Sequence, residues 1–387
     1  MKFIFSIFFL IIFSASVSAQ NISIYGYFEP QFAGFKIKKD FLQINSNKLR
    51  IDLSSEISDK VSFGANFDYI TYHGQTAYEI LNYLPESVTK EIPDDLKPLY
   101  ILPFKNRNFL DNAYLKLSFK SFDITVGKQQ ISMGTGYTWN PTDVFNVKNV
   151  FDPTYEQPGH NSIRIDIPIG LKYSIVALYA PANIWRNSGK LIKFKGKSGH
   201  FDYSFIFIER MWTFTDYLTF QSTVQKRRLF GGDLAGQLFG LGVWAEAAFN
   251  RMRVTRNFWE VVAGADYTFD SGTYLMFEYY RNTLCKTNYR KYNITDWMRY
   301  ISAEVKAVSR DNLFIYVNHP ATDLINTGCY IISSLNDLSV AVVPLVIYNV
   351  FENVDLTLFG NFYTGKKGTT YSSSLGNGGL IRLRYYF

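Results

Sequence analysis

The last ten residues of the chain, Gly378 to Phe387, alternate in character and restrict what the chain can fold into. In an extended strand one face carries Ile381, Leu383, Tyr385 and Phe387. The other face carries Leu380, Arg382, Arg384 and Tyr386. One face can therefore contact lipid, whereas the guanidinium groups on the other need water or partners. We interpret this strand as the closing strand of a membrane barrel, because an open sheet edge in hydrocarbon leaves backbone groups unsatisfied. The alternative is the final strand of a soluble sandwich.

A terminal Phe preceded by apolar residues at alternate positions resembles the assembly signal of Gram-negative outer-membrane barrels. The resemblance implies that Ile381, Leu383, Tyr385 and Phe387 form this signal and are read by the barrel assembly machinery. It also implies that the protein lies in the outer membrane, in contact with its lipid.

The composition agrees with one large barrel. Aromatic residues make up 18% of the 387 residues and charged residues 19%, which is too apolar for a disordered chain. Aromatic girdles at two membrane interfaces would account for the excess of Tyr and Phe. The net charge of +7 comes without a basic helix or an Arg-rich run, so nucleic-acid binding is not expected.

The first nineteen residues are typical of a cleaved secretory signal. Lys2 supplies the charge, Phe3 to Phe13 the apolar core, and Val17 to Ala19 the small-residue ending. The apolar core is too short to span a bilayer. No later stretch contains eighteen consecutive apolar residues, so the sequence argues against membrane helices. Residues 20–387 are predicted to form a single barrel domain.

Alternation with a period of two is the main pattern after residue 20. Clear examples are residues 48–53, 61–69, 162–167 and 259–269. The sequence therefore predicts an all-β protein, a transmembrane antiparallel up-and-down barrel of about 18 strands, with 16 as the alternative.

The predicted connections are short on one side of the barrel and long on the other, as in outer-membrane barrels. The tight turns are expected near Ser58–Lys60, Lys120–Ser121, Pro168–Gly170, Lys197–Gly199, Gly240–Gly242, Asp270–Gly272, Pro320–Thr322 and Glu352–Asn353. The long connections are expected at Thr71–Leu110, Gln129–Asn161, Met211–Gln225 and Asn282–Asp311.

The segment Val126–Asn146 is the most distinctive internal stretch. Its glycines permit a bend, and the run from Asn140 to Asp143 favours a turn. This segment is similar to one in porin-like proteins of uncharacterised and alginate-export-like groups, as is the tight turn at Asn336–Ser339. We predict an inward-folded constriction loop, with an ordinary surface loop as the alternative. Its key residues are Gly134, Gly136, Trp139, Asn140, Pro141 and Asp143.

Basic residues recur at alternate positions and are predicted to line the pore, because charge facing lipid costs about 2–4 kcal/mol per Arg or Lys at the midplane. They are Lys48, Arg50, Lys193, Lys195, Lys197, Arg382 and Arg384. Rings of such residues favour anions. The alternative is a charge-balanced wall, since carboxylates should also face inward: Asp52, Asp68, Asp166, Glu246, Asp266 and Glu278.

The sequence gives little support to an enzyme. The histidines, His73, His160, His200 and His319, lack a neighbouring Ser and acid at catalytic spacing. No metal-ligand or phosphate-binding motif is present, so no metal, cofactor or catalytic residue is expected. Two cysteines make no disulfide framework, and whether Cys285 and Cys329 pair is left open.

The sequence thus predicts a passive outer-membrane pore for small hydrophilic solutes, with anions as the preferred class. One rival is a transporter of hydrophobic substrates, with an apolar lumen and an N-terminal plug; only Gln20 to Ile22 precede the first strand, which argues against it. Another is a structural or adhesive barrel with a closed lumen. The solute and the oligomeric state are left open.

Overall fold

The computed structural model describes residues 22–37, 40–90, 92–146, 148 and 156–387, so the predicted signal segment lies outside the described residues. Within them, eighteen strands form one antiparallel sheet in which the first strand pairs with both the second and the last. The sheet is therefore a closed barrel, and the predicted fold class and strand number are confirmed.

The strands have the following bounds. They are β1 (Ile22–Ile37), β2 (Asp40–Ser58), β3 (Val61–Gly74), β4 (Ala77–Glu79), β5 (Ile101–Pro103), β6 (Arg107–Ser118), β7 (Asp123–Gln130), β8 (Gly159–Ile169), β9 (Tyr173–Ala180), β10 (Gly189–Ser198), β11 (Phe201–Asp216), β12 (Gln221–Leu238), β13 (Leu241–Met252), β14 (Phe258–Thr268), β15 (Tyr274–Asn282), β16 (Asp311–Pro320), β17 (Ile325–Ser334), β18 (Ser339–Phe351), β19 (Val354–Tyr363) and β20 (Asn377–Tyr386). Strands β4 and β5 form a separate small sheet in the loop between β3 and β6.

Helices are short and lie between the strands. The α-helices are Glu86–Thr89 and Ile294–Ile301, and the 3-10 turns are Ile80–Tyr83, Asp94–Tyr100, Trp185–Asn187, Tyr289–Lys291 and Ser373–Leu375. In the described part of the chain, no helix combines the length and the apolar character needed to cross a bilayer.

The two ends of the barrel differ as predicted. Each predicted tight turn joins consecutive strands within a residue or two of the expected position, and long loops leave the opposite end. The predicted long connection Met211–Gln225 is wrong, because β11 continues to Asp216 and β12 begins at Gln221. The two strands pair continuously up to Asp216 opposite Gln221, so their backbone hydrogen bonds extend further than side-chain alternation alone indicated.

The C-terminal strand has the predicted two faces. Ile381, Leu383, Tyr385 and Phe387 are 40–51% exposed on the outside, whereas Arg382 on the inside is 5% exposed. The strand closes the barrel against β1, where Tyr27 lies opposite Tyr386. The amide of Gly26 donates to the carbonyl of Phe387 at 3.0 Å, and the amide of Phe387 donates back at 3.1 Å.

We predict that the outer face of β20 drives assembly. Replacing Tyr385 and Phe387 by Asp, or deleting Phe387, should leave the protein degraded in the periplasm, because the closing strand would then place charge or a gap on the lipid face. The measurement is heat-modifiable electrophoretic mobility of the membrane fraction. Tyr386→Asp, on the inner face, is the matched control and should assemble; normal assembly of the Tyr385/Phe387 variant would refute the prediction.

Candidate functional site

The inner wall near the barrel closure contains a dense set of ion pairs centred on Arg50, which is 8% exposed. Its Nε atom lies 2.8 Å from Oδ1 of Asp52, and its Nη1 atom lies 3.1 Å from Oε2 of Glu156. Lys48 Nζ lies 2.6 Å from the same Glu156 oxygen and 3.5 Å from Asp68. Glu156 therefore ties the loop that carries it to the wall formed by β2 and β3.

The arginines of β20 are also paired. Arg384 lies 2.5 Å from Oε2 of Glu29, and Arg382 Nε lies 3.4 Å from Oε1 of the same carboxylate. Arg382 also donates to Gln31 Oε1 at 2.8 Å. Glu29 and Gln31 are on β1, so these contacts reinforce the pairing that closes the barrel.

These contacts correct the expectation of a basic wall beside β1. We call the whole set the lumen ion network: Glu29, Lys48, Arg50, Asp52, Asp68, Asp111, Glu156, Arg382 and Arg384. Among these described residues four cations face five carboxylates, so positive charge is cancelled within the network. Each of the four cations lies against a carboxylate of the described residues, so this part of the wall lacks the unopposed positive field that was expected.

Three members of the lumen ion network were missed by sequence analysis: Glu29 on β1, Asp111 and Glu156. Asp111 occupies a β-bulge, since Asn66 pairs with Asn112 while Phe67 pairs with Leu110. The extra residue lets Asp111 turn inward, 3.5 Å from Arg50, although simple alternation would not place it there. Glu156 comes from a loop, where no periodic pattern indicates direction. Burial raises the pKa of Glu156, but Lys48, Tyr27 and Arg50 outweigh it and hold that pKa below its ordinary value.

The lysines of β10 differ from one another. Lys193 is 6% exposed, and its Nζ atom lies 3.1 Å from Asp233, which also accepts a hydrogen bond from the hydroxyl of Ser204. Lys195 and Lys197 are exposed, and Lys197 is next to the short turn at the end of the strand. Of the three lysines that were predicted to line the pore on this strand, one is therefore neutralised and two are accessible.

The segment after β7 folds into the barrel and contacts the wall at β13 and β15. The backbone amides of Thr135, Gly136 and Thr142 donate to the carboxylate of Glu246 at 2.9, 3.2 and 2.5 Å. Glu246 is 2% exposed. We call residues 131–146 the inward segment.

A second carboxylate, Glu278 on β15, holds the middle of the inward segment. The amides of Tyr137, Thr138 and Trp139 donate to it at 2.6, 2.8 and 2.9 Å, and the indole of Trp244 donates at 2.8 Å. Hydrogen bonds to a charged acceptor are worth about 1.5–3 kcal/mol each. These contacts therefore fix the segment to the wall strongly.

The two glycines of the inward segment are required by this close approach. Gly134 has a φ of +83°, and a Cβ there would lie 2.3 Å from Glu246 Oε2. A Cβ on Gly136 would lie 1.9 Å from the carbonyl oxygen of Trp139. A side chain at Gly134 would therefore clash with the carboxylate, and a side chain at Gly136 would clash with the backbone of the segment itself.

The other predicted loop residues shape the inward segment. The amide of Asp143 donates to the carbonyl of Asn140 at 3.1 Å, which makes the predicted turn with Pro141 inside it. Asp143 Oδ1 accepts from the amides of Phe145 and Asn146 at 3.0 Å. Burial raises the pKa of Asp143. Its carboxylate therefore organises the loop and is not a free charge in the lumen.

One sector of the inner wall is apolar and is covered by loops. Trp139 is 2% exposed and stacks on Tyr280 with ring centroids 5.1 Å apart. Such aromatic pairs contribute about 0.5–1.5 kcal/mol beyond area burial. The same cluster includes Val262, Met276, Phe314, Tyr330, Ala307 and Tyr371. Since loop side chains fill this sector, it serves as packing surface for the loops.

Loops from roughly opposite walls also meet over the long-loop end. The β3–β6 loop contributes Ile80, Leu81, Leu84, Val88, Ile92 and Tyr100, and the β15–β16 loop contributes Tyr292, Ile294, Trp297, Met298 and Val308. Tyr100 donates through its hydroxyl to the carbonyl of Tyr217, whose amide donates to Thr295 Oγ1 at 3.1 Å. We call this joint cluster the mouth cover.

The remaining chemistry-bearing residues are dispersed. Both cysteines are free: Cys285 is buried in the β15–β16 loop and Cys329 lies in β17. His160 lies 3.0 Å from Asn146 Oδ1, and His319 lies 2.9 Å from Thr273 Oγ1. The described ranges contain no group of three or more His, Cys, Asp or Glu side chains suited to a metal ion.

We predict that the two buried glutamates hold separate parts of the inward segment. Glu278→Gln should speed amide exchange at residues 137–139 by tenfold or more, on the order expected from losing charged hydrogen bonds. Glu246→Gln should speed amide exchange by a similar factor at residues 135, 136 and 142. The measurement is hydrogen–deuterium exchange, and each variant is the matched control for the other. Unchanged exchange, or the same pattern in both variants, would count against this assignment.

The thiol of Cys285 reports on the loop that forms the mouth cover. Burial raises its pKa to about 12, so at pH 8 it should be protonated and inert toward iodoacetamide. In a Cys329→Ser background, Trp297→Ala should make Cys285 react at least about tenfold faster, since losing a buried Trp costs roughly 3–5 kcal/mol. The exposed Leu99→Ala is the control. Rapid labelling in the parent would show that the cover does not protect this thiol.

Comparisons with known proteins support the fold. No family model and no curated protein matches the chain in sequence. The crystal structure of OccAB1 from Acinetobacter baumannii is similar at a TM-score of 0.57 and 10% identity, over 97% of this chain and 98% of that one.

Two further solved structures have lower TM-scores. OmpT, an outer membrane protein of Vibrio cholerae in its trimer form, gives 0.48 at 11% identity over 95% of this chain and 99% of that one. A mutant porin of Rh. blastica gives 0.48 at 12% identity over 95% and 100%. At such identities the likeness to OccAB1 concerns the fold alone. Together with the closed antiparallel sheet of the described residues, it shows that the chain has the fold of a closed β-barrel like that of OccAB1.

Proposed function

We propose that this protein is an outer-membrane channel through which small hydrophilic solutes diffuse passively. The observation that carries the proposal is the opposite character of the two barrel faces. The outer face exposes large apolar side chains such as Phe205, Phe230 and Ile381, whereas the inner face carries the lumen ion network and Lys193–Asp233. Only a barrel with hydrocarbon outside and water inside stabilises both faces.

The asymmetry of the connections supports one orientation of the barrel in the membrane. Short turns face the periplasm and long loops face the exterior in barrels of this kind. On that basis, the mouth cover lies on the cell surface and the β20 carboxyl terminus on the periplasmic side. Assembly would then require the barrel assembly machinery, because the C-terminal strand resembles the signal that this machinery reads.

The inward segment is the proposed constriction. It crosses from β7 to the wall at β13 and β15, and it is held there by Glu246 and Glu278. A solute must pass between this segment and the lumen ion network. The narrow passage is then lined by paired charges on one side and by loop backbone on the other.

We also propose that the channel prefers anions, and that Lys195 and Lys197 provide the preference. Their ammonium groups are exposed near the periplasmic mouth, whereas the other predicted cations of the wall lie against carboxylates or, for Arg382, also against Gln31. Exposed lysines at a mouth raise the local concentration of anions. This effect is screened over about 10 Å at 0.1 M salt.

One observation favours a second candidate function, a surface barrel with a closed lumen. The mouth cover joins loops from opposite walls through buried apolar side chains. If it stays in place, solutes would be excluded and the long loops would bind partners. The transporter of hydrophobic substrates is less well supported, because the apolar sector of the lumen is occupied by Trp139 and other loop residues.

Conductance of the refolded protein in a planar bilayer tests the channel directly. We expect discrete ohmic steps, and larger steps after deletion of Gly134–Pro153, because the proposed constriction is removed. Heat-modifiable mobility must show that the deletion variant is folded. A parent without conductance would favour the closed barrel, and an unchanged step size in the variant would remove the constriction proposal.

The reversal potential across a salt gradient tests the anion preference. The parent should favour anions, and Lys195→Gln/Lys197→Gln should move the potential toward zero, more strongly at low salt. Lys190→Gln/Lys226→Gln, on the outer face, removes the same charge and should leave the potential unchanged. Cation preference in the parent, or equal shifts in both double variants, would contradict the proposal.

A further inference from the structure

The outer face of β10–β13 has a cationic groove at the long-loop end. The groove has a volume of about 410 Å³ and is lined by Arg186, Lys226, Arg228, Arg251, Met252 and Arg253. We propose that it binds the phosphate-bearing head group of a lipid in the leaflet on the long-loop side of the barrel. The proposal rests on the membrane placement given above and is independent of whether the lumen conducts.

Strand register places charged residues in one row across four strands. Lys190 pairs with Glu209, Glu209 with Arg228, and Arg228 with Arg251. Their sequence neighbours Leu191, Ile208 and Leu229 are 0–2% exposed on the inside, so alternation directs the row outward. We call these four residues the outer charged row.

The next outward row, toward the short turns, is entirely apolar. Ile192 pairs with Phe207, Phe207 with Phe230, and Phe230 with Phe249. The rings of Phe207 and Phe230 are 5.0 Å apart. The change from phenylalanine to arginine over one pair of residues marks the boundary between hydrocarbon and head groups. Long basic side chains reach from this height into the head-group layer.

The groove has more positive charge than the protein neutralises. Glu209 is engaged at both oxygens, by Lys226 at 2.7 Å and by Arg228 at 2.8 Å. Arg251 lies directly opposite Arg228, an arrangement that destabilises a sheet when both residues have the same charge. Within the part of the chain that the structure describes, Arg186, Arg251 and Arg253 make no ion pair. A phosphate group between them would remove the repulsion and accept several guanidinium hydrogen bonds.

Aromatic residues beside the groove favour a lipid over a dissolved anion. Trp185 is 66% exposed, stacks on Tyr179 at 4.9 Å, and has Lys190 Nζ 4.2 Å from its ring. Exposed Trp and Tyr side chains are enriched at the height of lipid head groups. The groove therefore offers cations for the phosphate and an adjacent apolar surface for the acyl chains, which a free anion would not use.

Another outward arginine shows the contrasting arrangement. Arg281 is near the long-loop end of β15, and its Nη1 atom lies 3.3 Å from Asp311 Oδ1. Here the protein neutralises the arginine itself. This difference supplies a control, since substitutions at Arg281 and at the exposed loop residue Arg290 remove two positive charges from the same end of the barrel without touching the groove.

The experiment is native mass spectrometry of the full chain in detergent with diphosphoryl lipid A as the probe. The parent should retain the lipid, and Arg251→Gln/Arg253→Gln should bind it about thirtyfold more weakly, the factor expected for two basic residues at a lipid surface. Arg281→Gln/Arg290→Gln should bind like the parent. Glu209→Gln should bind more tightly, because it removes the carboxylate that occupies Lys226 and Arg228.

Several results would overturn the proposal. The first is that the parent and Arg251→Gln/Arg253→Gln bind lipid A equally well. The second is that Arg281→Gln/Arg290→Gln weakens binding as much as Arg251→Gln/Arg253→Gln does. The third is that the parent binds a lipid without phosphate as well as it binds lipid A. Full competition by inorganic phosphate at the lipid's own concentration would assign the groove to a free anion instead. A parent that binds the lipid but carries no current would overturn the channel alone, and a conducting parent that binds no lipid would overturn this inference alone.

Discussion

Closure of the sheet between β1 and β20 is the constraint on which the rest of the structure depends. Each strand of the barrel then has two neighbours, so no row of backbone N–H and C=O groups is left open to an apolar surrounding. The contact is reinforced inside by Glu29 with Arg382 and Arg384, and at its end by the paired hydrogen bonds of Gly26 and Phe387. Once the sheet is closed, alternation gives every residue either an outer or an inner position.

Closure also creates an interior that loops must fill in part. A loop inside a barrel has backbone amides that need acceptors, and the inward segment finds them in the carboxylates of Glu246 and Glu278. The carboxylates in turn gain donors that replace lost water. This mutual satisfaction explains why buried acidic side chains face a glycine-containing loop, and it gives the segment a fixed place on the wall.

Charge is handled differently on the two faces. Inside, cations and carboxylates from several strands and one loop meet in the lumen ion network, where removal of one partner would leave a buried charge without compensation. Outside, Arg251 and Arg253 lie at the edge of the apolar belt and make no ion pair with an acidic side chain of the described residues. The inner network organises the wall by itself, whereas the outer groove is completed only by an anion from its surroundings.

The sequence alone indicated the barrel, a strand number of about 18, the short turns and the face that most strand residues take, because these follow from local alternation and turn chemistry. It also located the inward segment through its glycines and the Asn140–Asp143 turn. Only the tertiary structure decided which charges meet. Asp111 turns inward through a bulge and Glu156 arrives from a loop, and neither leaves a periodic signal, so the predicted basic wall proved to be neutralised. The outer groove likewise depends on strand register, which joins Arg228 to Arg251 across a turn and is not visible along the chain.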